Sequence, residues 1–325
     1  MSPEAPVTVT PDALTARLTA TAHPGPATPC PCPTGLLADR PDATVLRHGG
    51  TVAKAHAPGT DPEALARRLA VAARLPEILL APLGTTPETM DDRLVTYWPH
   101  GTPVDRDDPD AAPWEAAATL LARLHRTPLD SPLPPMRGPA KAAAAITRLK
   151  KALESAPCPD AAPVLRAWTA LPGWARGEEP APGVPALCHG DLHLGQLVRH
   201  PAPDGAWRLI DVDDLGTGIP AWDLARPAAW YACGLLPPEE WIRFLDAYRA
   251  ADGPAVPPDG DPWPVLDVPA RALTVQTAAL ALTKALAAGR SPDEVEQAVV
   301  DACARMTAPA QRAPDPDRLS CDFPE

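Results

Sequence analysis

Residues 186–214 read Ala186-Leu-Cys188-His189-Gly190-Asp191-Leu-His193-Leu-Gly-Gln196-Leu197-Val-Arg199, then His200-Pro-Ala202-Pro-Asp-Gly205, then Ala206-Trp207-Arg-Leu-Ile210-Asp211-Val-Asp213-Asp214. Leu197–Arg199 and Trp207–Ile210 are short apolar runs, and Ala202-Pro-Asp-Gly205 between them supplies turn residues, so the stretch predicts a β-hairpin. Asp191 falls just before the outgoing strand and Asp211 just after the return strand. A hairpin therefore brings both carboxylates to the same end, although twenty positions separate them in the chain. Two carboxylates and the Gln196 amide converging on one spot suit a hard divalent cation, which takes oxygen ligands. They equally suit a carboxylate that accepts the proton of an attacking hydroxyl. The plain alternative is that the two aspartates only end strands and cap turns. That would serve for one Asp beside a glycine, but not for the whole string with His189 and Asp223.

Upstream, Ala43–Arg47 and Thr51–Ala55 read as two strands joined by His48-Gly-Gly50. Asp61 and Pro62 are an N-cap and first helical residue, followed by Leu65, Leu69, Ala72 and Leu75 at helical spacing. Ile78–Leu83 and Arg93–Trp98 read as further strands, and a helix from Pro11 to about Thr21 precedes them all. Downstream the character is helical: 113–126, 141–154, 239–248 and 271–288. Ser291-Pro-Asp-Glu294 reads as a capping box opening a helix through Val295, Val299, Ala302 and Met306. The expected organisation is an N-terminal extension 1–34, a nucleotide-binding lobe 35–100, a catalytic and substrate-binding lobe 101–307, and a loose tail 308–325.

The 325 residues carry 45% hydrophobic side chains, 4% aromatics and 47 prolines, a composition of many short elements with an Ala/Leu core. A net charge of −12 argues against nucleic acid as the main partner, which needs a basic stripe. The N-terminus lacks the basic and apolar regions of a signal peptide. The apolar stretch 272–288 is interrupted by Thr274, Gln276, Thr277, Thr283 and Lys284, so no membrane span is expected and a cytoplasmic location is. Of seven cysteines, only Cys30-Pro31-Cys32 lie close, and no second pair completes a zinc site. His193 with Asp211 and Asp213 has the wrong spacing for the two-histidine zinc motifs.

His189-Gly-Asp191-x4-Gln196, Leu-Ile-Asp211 and Gly216-x-Gly-x-Pro220-Ala-Trp-Asp223-Leu resemble the aminoglycoside phosphotransferase family, with its choline, homoserine and maltose kinase relatives. Leu121-Ala-Arg-Leu-His125 is similar to that family's helix before the catalytic region, and Thr51-Val-Ala-Lys54 to its third strand. The resemblance implies an α+β, bilobal protein-kinase-like fold, with a small sheet-rich N-lobe and a larger helical C-lobe carrying the hairpin. It implies a small-molecule kinase using ATP or GTP and Mg²⁺. Asp191 would accept the acceptor's proton, Gln196 and Asp211 would hold Mg²⁺, and Lys54 would meet the nucleotide phosphates. Val95–Pro99, Tyr97 included, would face the adenine with their backbone. His189 and Asp223 would brace the catalytic loop.

Three departures mark this chain. Gln196 stands where the family usually has Asn, and Ile219 replaces the Asp of a Gly-Asp-Pro. The phosphate-covering loop, expected between Leu36 and Thr44, has no glycine, which leaves Arg40 as a substitute donor. Glu63 is the candidate partner of Lys54. The acidic balance favours a cationic hydroxyl acceptor such as an aminoglycoside or amino sugar. A catalytically silent kinase-like binding module and a tailoring kinase for peptide Ser/Thr are the alternatives.

Overall fold

The computed structural model describes residues 10–23, 30–40, 42–130 and 132–306; the tail expected over 308–325 lies outside them. Strands β1 (Thr34–Arg40), β2 (Ala43–His48), β3 (Thr51–Ala55), β4 (Glu88–Met90) and β5 (Arg93–Pro99) form an antiparallel sheet in the order β1-β2-β3-β5-β4. Helix α1 (Pro11–Ala22) covers one face of this sheet. Leu14 and Leu18 bury completely there against Leu46, Ala53, Ala55 and Val95, so the N-terminal extension belongs physically to the sheet lobe.

The opposite face carries Lys54 and Thr96, directly paired across β3 and β5. Period-two alternation thus assigns Val95 and Tyr97 to the α1 side and Lys54 to the side facing the rest of the molecule. Helix α2 (Pro62–Arg74) starts as its sequence predicts: the Asp61 carboxylate accepts the Glu63 and Ala64 amides at 2.9 and 3.2 Å, a cap worth about 1 kcal/mol. Its apolar stripe of Leu65, Leu69 and Ala72 is fully buried.

Ile78–Leu83 does not form the expected strand. Within it only Leu79 makes a bridge, to Leu209, flanked by hydrogen bonds of Ile78 and Leu80 to the same residue; Ile78, Leu79 and Leu80 fill the core, whereas Leu83 is exposed. The expected phosphate loop is likewise a hairpin: β1 pairs with β2 from Thr34↔His48 to Arg40↔Ala43, with a register shift between Leu36 and Ala38.

The remaining strands are β6 (Thr102–Pro103), β7 (Ala186–Cys188), β8 (Leu197–His200), β9 (Ala206–Leu209) and β10 (Gly216–Gly218). The hairpin forms as read, Leu197 opposite Leu209 and Arg199 opposite Trp207, and β7 pairs with β10 beside it. The helices are α3 (Trp114–His125), α4 (Gly138–Leu153), α5 (Ala161–Ala170), α6 (Ala221–Ala232), α7 (Pro238–Ala250), α8 (Trp263–Ala287) and α9 (Glu294–Met306).

Helices α6 and α8 contain Pro227 and Pro269. The first has no counterpart among the helices read from sequence, and the second begins eight residues before the predicted Arg271. Burial of Leu224, Ala228, Leu266 and Leu273 offsets the hydrogen bond each proline removes. Helix α8 is long and apolar enough to cross a membrane, but two thirds of its apolar window is buried inside the fold. The capping box of α9 sits two residues later than read: Asp293 and Glu296 exchange hydrogen bonds, each accepting the other's amide at 2.8 and 3.0 Å. Trp222 is core, and Tyr231 stacks on Trp241 and Trp263, so these aromatics pack rather than line an open face.

Candidate active site

Strand β7 delivers the chain into His189-Gly190-Asp191, and Asp223 in the first turn of α6 fixes it there. The Asp223 carboxylate accepts the backbone N–H of His189 at 2.6 Å and of Gly190 at 2.7 Å. The same carboxylate meets His125 Nε2 at 3.0 Å, His125 Nδ1 lies 2.7 Å from the Tyr248 hydroxyl, and that hydroxyl accepts the Ala255 amide at 3.0 Å. The aspartate, histidine and tyrosine are buried, so every link replaces water that cannot reach them.

Gly190 has φ +86°, and a Cβ on it would fall against the carbonyl of Asp214; only glycine lets the two aspartate-bearing loops close on each other. On the other side His189 Nε2 donates to the carbonyl of Ile210 at 2.8 Å. That carbonyl immediately precedes Asp211, which is itself left-handed at φ +66°. One histidine therefore ties the start of the hairpin to its end.

The carboxylates are matched by cations from distant elements. Lys54 Nζ lies 2.6 Å from Asp211 Oδ1 and 3.0 Å from Asp213 Oδ2. Lys141 Nζ, from α4, lies 2.6 Å from Asp191 Oδ2 and 2.7 Å from Asp214 Oδ2. Arg226, from α6, places Nη2 2.5 Å from Asp191 Oδ1 and donates through Nε to the Leu192 carbonyl at 3.1 Å. Burial alone would raise the Asp191 carboxyl, but the Lys141 and Arg226 charges outweigh it and hold it well below the usual carboxylate range. Burial lowers Lys54, yet Asp211 and Asp213 more than compensate, so it stays charged. His193 is half-buried; its partial desolvation and the nearby Arg226 charge push it down to about 4, so it is neutral.

The sequence model of the phosphotransferase enzyme family matches residues 43–264, more than two thirds of the chain. The chain belongs to the phosphotransferase enzyme family. It is a phosphotransferase with an alcohol group as acceptor, on a kinase-like fold shared with solved structures of low identity. One is a choline/ethanolamine kinase family protein from Mesorhizobium loti (TM-score 0.54, 18% identity, covering 90% of this chain and 92% of that one). Another is the amicoumacin kinase hAmiN, solved with AMP-PNP, Ca²⁺ and Ami (0.56, 18%, 84% and 86%). A third is aminoglycoside 2'-phosphotransferase-IIIa in a GDP complex (0.51, 14%, 90% and 97%). No curated protein matches the chain.

Within this phosphotransferase the residues singled out from sequence separate into two groups. Asp191, Gln196, Asp211, Lys54, His189 and Asp223 share one neighbourhood. Four others do not join it. Glu63, the expected partner of Lys54, is exposed and faces Arg67 Nη2 at 3.4 Å; two aspartates of the hairpin end take the lysine instead. Arg40 is exposed beside Asp42 at the sheet's outer hairpin. Val95 is fully buried under α1, and the Tyr97 hydroxyl donates to Glu88 at 3.1 Å. The backbone expected to face adenine is an inner strand: Val95 pairs with both β3 and β4, and the Tyr97 carbonyl accepts the Leu83 amide.

Lys141 and Arg226 carry no motif, and from sequence Asp213 and Asp214 fit a cationic-substrate or second-metal site and a solvated loop end about equally. For Arg226 the sequence signal is Asp223-Leu-Ala-Arg226, an acid and a base three apart on one helix face. For a divalent cation the donors are the right type: the Asp211 carboxylate and the Gln196 amide, whose Nε2 is 3.4 Å from Asp211 Oδ2. Gln196 turns its amide nitrogen to Asp211, so its Oε1 would have to rotate inward to ligate; with the Asp211 carboxylate, that oxygen is the donor type a magnesium ion takes.

Proposed function

We propose that the chain moves the γ-phosphate of ATP to a hydroxyl of a small molecule, an aminoglycoside or other amino sugar being the favoured acceptor class. The observation that carries this reading is the Lys54–Asp211 contact at 2.6 Å, which joins a cation of the sheet lobe to the carboxylate at the hairpin's end. In phosphoryl transfer most of the catalysis is positioning and neutralisation of charge, and this neighbourhood offers both.

Lys54 would turn from Asp211 and Asp213 to the nucleotide phosphates. Gln196 and Asp211 would hold Mg²⁺, which when bound supplies positive charge to the phosphate oxygens. Asp191, anionic at any working pH, would orient the acceptor hydroxyl and take its proton as the new P–O bond forms and the bond to the β-phosphate breaks. Lys141 and Arg226 keep Asp191 a weak base, which suits a loose transition state that removes the proton late. His189 and Asp223 hold the loop that presents it. The preference for a cationic acceptor rests on the net charge of −12, because Asp191 already has two cations of its own.

A silent kinase-like binding module is the second reading, favoured by the internal pairing of Asp191, Asp211, Asp213 and Asp214 with Lys54, Lys141 and Arg226. Melting with and without ATP–Mg²⁺, followed by ADP release across amino sugars, sugars and amino alcohols, separates the two. Nucleotide at a hundredfold over Kd stabilises a competent site by about 2.7 kcal/mol. Asp191→Ala should keep that shift and lose turnover, whereas Asp211→Ala should lose both. No nucleotide-dependent shift in the wild type, or full turnover by Asp191→Ala, refutes the kinase reading.

A further inference from the structure

A second cluster of chemically active side chains lies on the sheet lobe, on residues the proposed phosphoryl transfer does not use. Cys30 and Cys32, adjacent but without a partner pair in the sequence, are met in the fold by His23 at the end of α1 and His48 at the end of β2. Cys30 Sγ is 3.0 Å from His23 Nε2 and 3.6 Å from His48 Nε2, and Cys32 Sγ is 3.5 Å from His23 Nε2. One ligand atom from each of the four residues falls within 4.8 Å of every other. A tetrahedral zinc ion with Zn–S of about 2.3 Å and Zn–N of about 2.0–2.1 Å sets its ligand atoms roughly 3.3–3.8 Å apart. The four groups already stand near that spacing.

We propose that His23, Cys30, Cys32 and His48 form a structural Cys2His2 zinc site that fastens α1 to the sheet. The second shell is in place. Thr34 Oγ1 lies 2.6 Å from His48 Nδ1, so the ring can donate Nδ1–H to the threonine and leave Nε2, the atom facing Cys30, free to ligate. Outer hydrogen bonds of this kind set the tautomer of zinc-bound histidines.

The turn after His48 suits the cluster too. Gly49 has φ +57° and its amide bonds the Pro33 carbonyl at 2.9 Å, which folds the β2–β3 turn against the Cys30-Pro31-Cys32 segment. His48 is buried, the cysteines are half-buried and His23 is exposed, so the ion has an entry path and, once bound, four protein ligands. Four ligands leave no open position, which marks a structural rather than a catalytic zinc. Binding releases the two thiol protons to solvent and changes no oxidation state.

His23, Cys30 and Cys32 precede the residues matched by the family model. The site would therefore be a property of this chain's N-terminal extension. Its consequence is mechanical: α1 is held to the sheet by Leu14 and Leu18 at its middle and by the metal at its end.

The test uses the full chain, purified without metal-affinity resin. Elemental analysis is expected to find about one zinc per chain. Co²⁺ added after chelation and dialysis is expected to give tetrahedral d–d bands and a thiolate-to-cobalt charge-transfer band. Cys30→Ser with Cys32→Ser should abolish that band while leaving the nucleotide-dependent melting shift in place. A measurement on the unmutated chain guards against a variant that fails to fold: alkylation of Cys30 and Cys32, read by peptide mass, should be slow with zinc and fast after chelation. A Co²⁺ spectrum without the thiolate band, alkylation indifferent to chelator, or a Cys30–Cys32 disulfide in fresh protein each overturns the site.

Discussion

Arg226 grips Asp191 from behind: its Nη2 lies 2.5 Å from Asp191 Oδ1 while its Nε holds the carbonyl of Leu192, the next residue along. The guanidinium thus fixes both the carboxylate and the backbone that carries it, a two-point hold that a single ammonium cannot copy.

Arg226→Ala should lower kcat by about tenfold to a hundredfold, the scale of a slightly misplaced reacting group. Arg226→Lys should recover part of it. Removing this charge lets burial raise the Asp191 carboxyl, so the acid limb of the kcat–pH profile should move to higher pH. A profile and kcat equal to wild type would remove Arg226 from the positioning role.

Asp223→Ala strips the partners from two backbone amides and from His125 in a water-free interior. Breaking such a buried set costs about 3–5 kcal/mol, and the midpoint of denaturant unfolding should fall accordingly. Asp223→Asn, which keeps the acceptor oxygen for one amide, should fall less. Equal loss in the two variants would argue that shape, rather than the hydrogen bonds, holds the loop.

Gly190→Ala meets both a left-handed backbone, costing about 1–3 kcal/mol, and the carbonyl of Asp214. Because the two loops must then separate, turnover should collapse further than stability does. The measurement is kcat alongside the melting midpoint; a variant with normal kcat would show that the loops need not touch.

His193 sets a pH dependence of known sign. Its folded-state value of about 4 lies below the ordinary 6.5, so between those values the unfolded chain binds a proton that the folded chain does not. Stability should therefore fall as pH drops from 6.5 toward 4, by up to about 3 kcal/mol. His193→Gln should flatten that part of the curve. An imidazole titrating near 6.5 in an NMR series would contradict the assignment.

Much of this was legible in order along the chain. The hairpin and the Asp61 cap with its Leu65/Leu69 stripe follow from turn residues and periodicity. His189, read as a brace, bonds the Ile210 carbonyl, and Asp223 bonds the His189 and Gly190 amides. The misreadings came where local signals were outweighed: prolines inside α6 and α8 are tolerated because their apolar neighbours are buried, and Ile78, Leu79 and Leu80 are apolar because they fill the core. Glu63, the candidate for the family's lysine partner, lies in the exposed first turn of α2 and pairs with Arg67 instead.

Local shapes follow from the order of residues, because strand alternation, helix caps and turn chemistry act between residues a few positions apart. Which charges meet depends on packing: Lys54 with Asp211 across 157 positions, Lys141 with Asp191 across 50, and His23, Cys30 and Cys32 with His48. Such contacts are set by proximity in space and by exclusion of water, and neither exists until the helices and the sheet have come together.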